Sequence, residues 1–380
     1  MAEEVWMLQT KKADFKQIGA RFRIDPVTAR IIRNRGIEGE AAIDRYLNGT
    51  LDDLYDPMLL KDMERAVSIL CEAVDTGKKI RIVGDYDIDG VCSTYILLQA
   101  FERLGSDVDF EIPDRIKDGY GINESIIEQA HADGVEVILT CDNGISAFHQ
   151  VELAKKYGMT VVITDHHEVP LDGEKEKIPP ADAVIDPKQA DCPYPFPEIC
   201  GAVVAYKLVQ VLYARRGVPQ MEWLDLLEFA AIATVGDVMK LQDENRILVK
   251  YGLKKMAQTK NLGLRRLAEK NNLDLGAITA YHIGFVIGPC LNAGGRLKTA
   301  KEALALLRAQ SEEEAERLAE ELKELNDTRK DMTEQGTEAA KLQVESWYQK
   351  DKVLVVFLPE CHESLAGAFA RDPREDFTKP

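Results

Sequence analysis

The chain has 380 residues, 45% of them hydrophobic, which is enough apolar material for a sizeable core and for two or three domains. Its start lacks the basic region and apolar run of a signal peptide, and no stretch has the roughly 18 apolar residues that a membrane-spanning helix needs. We therefore expect a cytoplasmic protein with no membrane partner. The net charge of −17 argues against a nucleic-acid partner unless basic residues cluster locally.

The cysteines favour a reduced protein. There are seven of them, and no two stand in a C-x-x-C pair. An odd number argues against a complete set of disulfides, so we expect reduced and mostly buried thiols.

The first half of the chain changes character near residue 77. Residues 16–75 alternate short helical patterns with turns, which predicts a helical lead-in over residues 1–76. From residue 79, β-branched runs alternate with helical segments; the runs are KIRIV, VDFEIP, EVILT, TVVIT and AVID. Continuous apolar strands between helices predict an α/β fold with a mostly parallel sheet flanked by helices.

The α/β domain is predicted to close with helices. A loop rich in Pro and Cys over residues 188–200 precedes two apolar helical stretches, GAVVAYKLVQVLYARRG and MEWLDLLEFAAIATVGD. We place the limits of this domain, including its helical subregion, at residues 77–308.

The end of the sequence predicts a connector and part of another domain. Residues 311–345 predict one long charged helix of about 50 Å, if Gly336 does not interrupt it, within a connecting segment at 309–346. A coiled coil is the alternative, although the apolar heptads are irregular. The segment 347–380 opens with a strand-like run, KVLVVFL, and predicts the start of a second small domain whose remainder we expect to be truncated.

Acidic residues follow the first predicted strand. The run IRIVG leads directly into DYDIDG, which places Asp85, Asp87 and Asp89 within five residues. Such carboxylates repel one another unless a cation lies among them, although a solvated turn is the ordinary alternative. Ligands of open α/β sheets bind outside the carboxyl ends of the strands, and this position favours the metal interpretation.

Two further strands end in the same way. EVILT leads to Asp142, and TVVIT leads to Asp165, His166 and His167. For a lone pair of histidines we would expect one ring to cap the strand and the other to face water. Three acidic strand ends in one sheet make that alternative less favourable.

A fourth acidic residue follows an apolar helix. Asp237 ends the run LEFAAIATVGD, where an unpaired carboxylate would be costly to desolvate and a metal would offset that cost. Carboxylates with a minority of imidazoles suit Mn²⁺ or Mg²⁺ better than a zinc site built on thiolates. Two such ions would activate a water and neutralise a phosphoryl group, which indicates phosphoester hydrolysis.

These motifs are similar to those of a known family. DYDIDG, CDNGIS, DHHE and ATVGDVMKL, in this order, resemble the four motifs of the DHH phosphoesterases. The resemblance to the RecJ branch covers nearly the whole chain, through DPMLLKDMERA, PDRIKDGYGIN, CPYPFPEICGAVVAYKL, HIGFVIGPCLNAGGRL and LPECHESLAG. It implies a 5′-to-3′ exonuclease for single-stranded DNA in DNA repair and recombination, dependent on Mn²⁺ or Mg²⁺.

The resemblance also implies roles for individual residues. The implied metal ligands are Asp87, Asp89, Asp142, His166 and Asp237. Asp142 would bridge two ions, His167 would contact the scissile phosphate, and Asp165 would orient both catalytic histidines. Many relatives outside the RecJ branch have a His four residues before the first metal aspartate, where this chain has Val83. The number of ions therefore stays open, and Asp85 is either a ligand or a neighbour of the ligands.

Basic residues that cluster locally could bind nucleic acid despite the negative net charge. Several are predicted to lie in loops, namely Arg115, Lys117, Arg246, Arg296 and Lys298. Each of them is otherwise an ordinary surface residue. By the resemblance, Arg296 beside Gly294 and Gly295 would clamp a phosphate of the backbone, and Tyr120 could stack a base.

In the family, the second small domain grips the strand with residues like those around His362 and Gly367. The sequence AGAFARDPREDFTKP departs from the Gly- and Ile-rich pattern of that domain, so we expect a frameshifted or shortened reading frame here.

Three functions follow from these patterns. The first is the single-strand exonuclease, acting as a monomer that releases nucleoside monophosphates, with a helicase or single-strand-binding protein as a partner. The second is a related phosphoesterase for short oligoribonucleotides or cyclic dinucleotides. The third is a catalytically silent binding fragment that keeps the metals.

Overall fold

A computed structural model of the chain describes residue 7 and residues 11–348 and 353–367. The α-helices are α1 (Phe15–Phe22), α2 (Pro26–Asn34), α3 (Glu40–Asn48), α4 (Met63–Thr76), α5 (Ile88–Arg103), α6 (Glu124–Ala132), α7 (Phe148–Lys156), α8 (Gly201–Arg216), α9 (Gln220–Leu224), α10 (Leu227–Gly236), α11 (Asp243–Met256), α12 (Leu262–Lys270), α13 (Ala280–His282), α14 (Gly288–Leu297), α15 (Lys301–Leu307) and α16 (Glu312–Gln343). The strands are β1 (Ile80–Val83), β2 (Val108–Glu111), β3 (Val137–Cys141), β4 (Thr160–Thr164), β5 (Leu171–Asp172), β6 (Lys175–Glu176) and β7 (Ala183–Ile185). Short 3₁₀ turns and two π-helical turns complete the described elements; the π-helical turns span Ile283–Ile287 and Val344–Tyr348.

Five strands form one parallel sheet in the order β2-β1-β3-β4-β7. The chain leaves β1 toward β2 on one side and then returns to place β3 on the other side. In open α/β sheets the crevice at such a reversal of strand order is where ligands bind. The carboxyl ends of β1 and β3 flank this crevice, and a separate hairpin is formed by β5 and β6.

The sheet is covered on both faces because successive side chains of a strand point to opposite sides. Ile82 and Leu139 belong to the larger core, into which α5, α8 and α10 pack. Val83 and Ile138 belong to a smaller core with α6 and α7. The predicted fold class, a mostly parallel sheet flanked by helices, is confirmed.

Two further sequence predictions hold. The lead-in contains helices and no strand between residues 16 and 75, and its last helix, α4, packs on the larger core. The helix α16 has 32 residues and continues through Gly336, which gives it a length of about 48 Å. Coiled-coil pairing is not needed to bury its apolar stripe, because Leu318 and Leu322 pack into the larger core.

Two sequence predictions are wrong. Arg246 and Arg296 lie on helices α11 and α14 instead of in loops. The glycines before Arg296 serve close packing, since a Cβ at Gly295 would lie 2.3 Å from the carbonyl oxygen of Tyr86. The strand-like run forms no strand over the described residues 353–358, where no neighbouring strand pairs with it.

All seven cysteines are free, and four of them are buried; the buried ones are Cys92, Cys141, Cys200 and Cys290. Within the described part of the chain, no helix combines the length and apolar character needed to cross a membrane.

A buried ion pair joins the helical layer to the lead-in. The Lys207 Nζ on α8 lies 2.9 Å from the Glu244 Oε1 on α11, and both side chains are almost fully buried. Glu244 also accepts the backbone N–H of Tyr55 at 2.6 Å and the hydroxyl of Tyr194. Lys207 donates to the Tyr55 carbonyl at 3.2 Å. Burial lowers the pKa of Lys207, so the ammonium depends on these acceptors.

We expect Glu244→Ala to lower the free energy of unfolding by about 3–5 kcal/mol, because it leaves the buried Lys207 ammonium unpaired. Chemical denaturation measures this loss. The control is Asp191→Ala, which breaks an ion pair with Lys61 whose aspartate side chain is 69% exposed. It should cost less than about 1 kcal/mol. Equal losses for the two variants would contradict a structural role for the buried pair.

Candidate metal centre

Two aspartates are fixed by the start of helix α5. Asp87 caps this helix, and its Oδ1 accepts the backbone N–H groups of Asp89 and Gly90 at 2.9 and 3.1 Å. Asp89 lies in the first turn. Its two carboxylate oxygens each accept a backbone N–H, from Gly201 and Ala202, at 2.7 Å. These residues begin α8, so the positive end of a second helix dipole also faces the Asp89 carboxylate.

Asp142 is held in an unusual backbone conformation directly after β3. Its φ angle is +61°, in the left-handed region that non-glycine residues rarely adopt. The start of α8 lies so close that a Cβ at Gly201 would be 2.7 Å from the Asp142 Cβ. The Asp142 Oδ1 is buried and accepts no well-aligned hydrogen bond from the described residues, although the His166 Nε2 lies 3.1 Å away. Backbone strain and a buried oxygen without a hydrogen-bond donor together indicate a functional position.

His166 lies at the centre of the carboxylates. Its Nε2 is 3.1 Å from the Asp142 Oδ1, 3.4 Å from the Asp89 Oδ2 and 3.9 Å from the Asp237 Oδ2. Burial lowers the pKa of His166, which favours the neutral ring that binds metals. Adjacent ligands of an octahedral ion lie about 3 Å apart, close to the two shorter distances.

Two trios of residues with no member in common could each hold an ion. They are Asp85, Asp87 and Asp142, and Asp89, His166 and Asp237, and in each trio the ligand atoms lie within 4.8 Å of one another. The Asp142 carboxylate belongs to the first trio and contacts His166 of the second, so it stands where a bridging ligand would. Oxygen donors with one imidazole suit hard or borderline divalent cations.

The carboxylates of the two trios can all be ionised together only if positive charge lies near them. Burial, together with the charges of Asp89 and Asp87, raises the pKa of Asp142 well above its usual value. Burial and nearby carboxylates also raise the pKa of Asp85 to about 7 and that of Asp237 to about 7. These groups are therefore costly to ionise together, and divalent cations would offset the repulsion.

A hydrogen bond with Asp165 keeps His167 positively charged at the rim of the site. Its Nδ1 lies 2.7 Å from the Asp165 Oδ1. Burial would lower the pKa of His167, but the hydrogen bond and charge of Asp165 raise it to about 9. The Tyr120 hydroxyl lies 3.0 Å from the same ring and donates to the Asp142 carbonyl at 2.9 Å. Asp165 also accepts the backbone N–H of Ile145 at 2.8 Å, which fixes its orientation.

Residues 79–234 match the family described as DHH family, N-terminal domain. RecJ of Bacillus subtilis, a single-stranded-DNA-specific exonuclease, is 35% identical over 376 residues, which cover 99% of this chain and 46% of the relative. RecJ of Escherichia coli is 35% identical over 373 residues, covering 94% of this chain and 63% of the relative.

Solved structures of RecJ proteins are also similar to this chain. A manganese-bound crystal structure of exonuclease RecJ has a TM-score of 0.74 and 33% identity, over 84% of this chain and 79% of that chain. This chain belongs to the RecJ branch of the DHH family. RecJ of Thermus thermophilus in complex with Mn²⁺ has a TM-score of 0.79 and 30% identity, over 96% of this chain and 51% of that one. The chain spans 46% of the length of the Bacillus subtilis relative and 63% of the length of the Escherichia coli relative.

The structure of this RecJ-family chain adds one acidic residue that sequence reasoning missed. Asp186 directly follows β7 and is fully buried at the same edge of the sheet. Burial and the charge of Asp165 raise its pKa to about 7. Its Oδ1 accepts the backbone N–H of Lys188 at 2.8 Å, while its Oδ2 has no partner among the described residues. The strand-end rule that identified the other aspartates would have found it in the run AVID.

Three arginines lie together beside the acidic cluster. Burial lowers the pKa of Arg296, and the charges of Arg115 and Arg329 lower it further, whereas Asp87 acts against them. None of the three forms an ion pair within the described ranges. Arg115 lies over the Tyr86 ring at 5.0 Å. The sequence gives no sign of Arg329, which stands among many charged residues of α16.

Other predicted contacts with nucleic acid are placed differently. Arg246 lies 3.9 Å above the Tyr46 ring and donates to the Tyr46 carbonyl at 2.6 Å, so it is bound to the lead-in. Lys298 pairs with Glu302.

The segment around His362 lies close to Arg296. The His362 Nδ1 is 2.7 Å from the Ser364 Oγ, and the Arg296 Nη1 donates to the Ser364 carbonyl at 3.3 Å. Among the described residues, no atom lies within 4 Å of a Cβ built at Gly367.

In the presence of a chelator, we expect Asp85→Asn to gain stability relative to the wild type as the pH rises from 4 to 8. A carboxyl whose pKa is about 7 when folded, against 3.8 in isolation, keeps its proton longer in the folded state. Its contribution is therefore present at low pH and is lost as the pH rises through about 7. The relative gain is about 4 kcal/mol, measured by denaturation at each pH.

Asp191→Asn is the control for this titration. Its partner Lys61 lowers the pKa of Asp191, so the wild type should instead gain slightly on this variant as the pH rises. A difference between Asp85→Asn and the wild type that does not change with pH would contradict the account.

Proposed function

We propose that this chain is a metal-dependent 5′-to-3′ exonuclease that hydrolyses phosphodiester bonds of single-stranded DNA and serves DNA repair and recombination. The observation that supports it most is the pair of ligand trios around Asp142, with uncompensated arginines beside them. The RecJ relatives are named single-stranded-DNA-specific exonucleases, which supports the choice of substrate.

The residues fit two ions of Mn²⁺ or Mg²⁺, and RecJ relatives have been solved with each of these metals. We propose that Asp85 and Asp87 hold one ion, that Asp89, His166 and Asp237 hold the other, and that Asp142 contacts both. When bound, such ions would lower the pKa of a water, so that it can lose a proton and attack the phosphorus, and would neutralise charge on the phosphoryl oxygens. Hydrolysis of this kind requires no covalent intermediate with the protein.

The protein's own catalytic groups would act on the scissile phosphate. The charged His167 ring, oriented by Asp165 and Tyr120, can donate a hydrogen bond to a phosphate oxygen and stabilise the negative charge that develops there. Asp165 fixes the ring by holding its Nδ1–H, as acidic neighbours of functional histidines commonly do. His167 therefore serves as an electrostatic catalyst, while its neutral neighbour His166 serves as a ligand.

The arginine group would hold the DNA. We propose that Arg115, Arg296 and Arg329 bind backbone phosphates next to the cleaved bond, because three cations without acidic partners attract an anion strongly. Tyr120 is 50% exposed and can still offer part of its ring to a base. His362 would contact the strand next to Arg296. These local charges are compatible with the net charge of −17 because distant charges are screened by salt.

We further propose that the protein acts in the cytoplasm as a monomer, with a helicase or single-strand-binding protein supplying its substrate. We also keep the division into segments 1–76, 77–308, 309–346 and 347–380 as a proposal. The packing of α16 against α12 and α14 supports its role as a connector.

The wild type should release mononucleotides from 5′-labelled single-stranded DNA with Mn²⁺, and Asp142→Asn should reduce the rate by at least about a thousandfold. The isosteric change removes the charge of the carboxylate that is proposed to contact both ions. Asp191→Asn, an exposed substitution, should keep the wild-type rate. Equal rates for Asp142→Asn and the wild type would sink the site assignment. If the wild type binds metal but releases no mononucleotides, the proposed nuclease activity is wrong. If it cleaves dinucleotides but not longer single-stranded DNA, the related phosphoesterase is favoured.

Arg296→Ala should raise the KM for single-stranded DNA about tenfold, since one phosphate contact of roughly 1.4 kcal/mol is lost. Arg246→Ala serves as the matched control. It should lower the melting temperature without changing the KM, because Arg246 is bound to Tyr46 in the lead-in. Rates at varied DNA concentration and salt measure both effects. An increase in KM for Arg246→Ala, with none for Arg296→Ala, would reverse the two assignments.

A further inference from the structure

A cavity of about 450 Å³ lies away from the metal centre, at the opposite ends of two helices that also reach that centre. Helix α5 begins beside Asp87 and ends at Arg103, about 24 Å further along the helix. Helix α10 runs the other way, from Leu227 at the cavity to Asp237 at the metal centre. The cavity therefore opens on a different part of the surface, and the proposed hydrolysis does not use it.

The cavity contains a buried carboxyl with an unused oxygen. Glu228 is only 4% exposed. Its Oε1 accepts the Thr259 hydroxyl at 2.6 Å, while its Oε2 has no hydrogen-bond partner among the described residues. A buried acceptor without a donor is costly, so a ligand that donates a hydrogen bond to this oxygen would relieve the cost. Each carboxylate oxygen has two lone pairs, so Oε1 can accept a second hydrogen bond as well.

Aromatic side chains form the wall next to Glu228. The rings of Tyr95 and Phe229 lie 4.3 Å apart at an angle of 47°. The Tyr95 hydroxyl accepts from the Asn261 amide at 3.1 Å and donates to no described group. Tyr213 also lines the cavity and makes no hydrogen bond with the described residues. A planar, partly apolar ligand with polar edges fits such a wall.

Basic side chains surround the opening. Arg103 forms two hydrogen bonds with Glu222 at 2.5 and 3.0 Å, and Lys260 lies 3.3 Å from the Asp225 Oδ2. The side chains of Arg103 and Lys260 are 53% and 84% exposed, so water and dissolved salt weaken both ion pairs. A phosphate monoester can replace the carboxylates, because it carries up to two negative charges and offers several oxygens to Arg and Lys.

We propose that this cavity binds a guanine nucleotide, with the base edge on Glu228 and the phosphate at Arg103 and Lys260. Guanine presents two adjacent donors, its N1–H and its 2-amino group, which together match one carboxylate. Adenine presents an acceptor at N1 and is rejected by the same group. The volume lies within the range of roughly 300–1,000 Å³ that small-molecule sites occupy. This site does not rest on the proposed nuclease activity.

Titration calorimetry with the whole chain in a chelator tests the proposal. GMP should bind, AMP should bind at least tenfold more weakly, and IMP, which lacks the 2-amino group, should fall between them. Glu228→Gln should weaken GMP at least tenfold, since its amide N–H groups face the donors of the base. Asp142→Asn should keep GMP binding, which separates this cavity from the metal centre.

A second variant keeps the test decisive if Glu228→Gln fails to fold. Arg103→Ala should weaken GMP while leaving guanosine, which has no phosphate, unchanged. Equal affinity for AMP and GMP, or no binding at millimolar GMP, would overturn the proposal. So would unchanged GMP binding by both variants. Loss of nuclease activity in any variant does not bear on these outcomes.

Discussion

The fold must hold several carboxylates that repel one another at one edge of the sheet. Asp85, Asp87, Asp89 and Asp142 belong to trios whose ligand atoms lie within 4.8 Å of one another, and burial raises the pKa of most of them. Such a cluster persists only where surrounding groups over-determine its geometry. The helices that begin or end at this edge supply that support.

The support comes mainly from helix ends. The first two backbone N–H groups of α8 bind the Asp89 carboxylate, and Gly201 allows α8 to approach Asp142 within van der Waals distance. The Lys207 and Glu244 pair then binds α8 to α11 and to the lead-in at Tyr55. Rigid elements thus hold ligands that repel one another, and divalent ions would complete the charge balance.

Much of the site could be predicted because parallel strands bring their carboxyl ends to one edge. That rule identified Asp87, Asp142 and His166 from three separate segments, and the burial of an unpaired carboxylate pointed to Asp237. The residues that support them were not predictable in this way. Gly201 acts through a close approach that only the folded chain has, and Arg329 is one of many similar residues on a charged helix.

The fold class was predictable because continuous apolar strands that alternate with helices form few arrangements other than a parallel sheet flanked by helices. The errors came from local signals that tertiary packing overrides. Two adjacent glycines suggested a loop around Arg296, yet they lie in α14, where Gly295 packs against the Tyr86 carbonyl. The alternating run after residue 352 suggested a strand, but no described strand pairs with it.

Anomalous diffraction from crystals soaked in Mn²⁺, measured at the manganese absorption edge, would locate the ions at the carboxylate cluster. We expect two anomalous peaks on either side of Asp142, one contacting Asp85 or Asp87 and the other contacting Asp89, His166 and Asp237. Occupied manganese sites elsewhere on the chain, with no peak at this edge of the sheet, would contradict it.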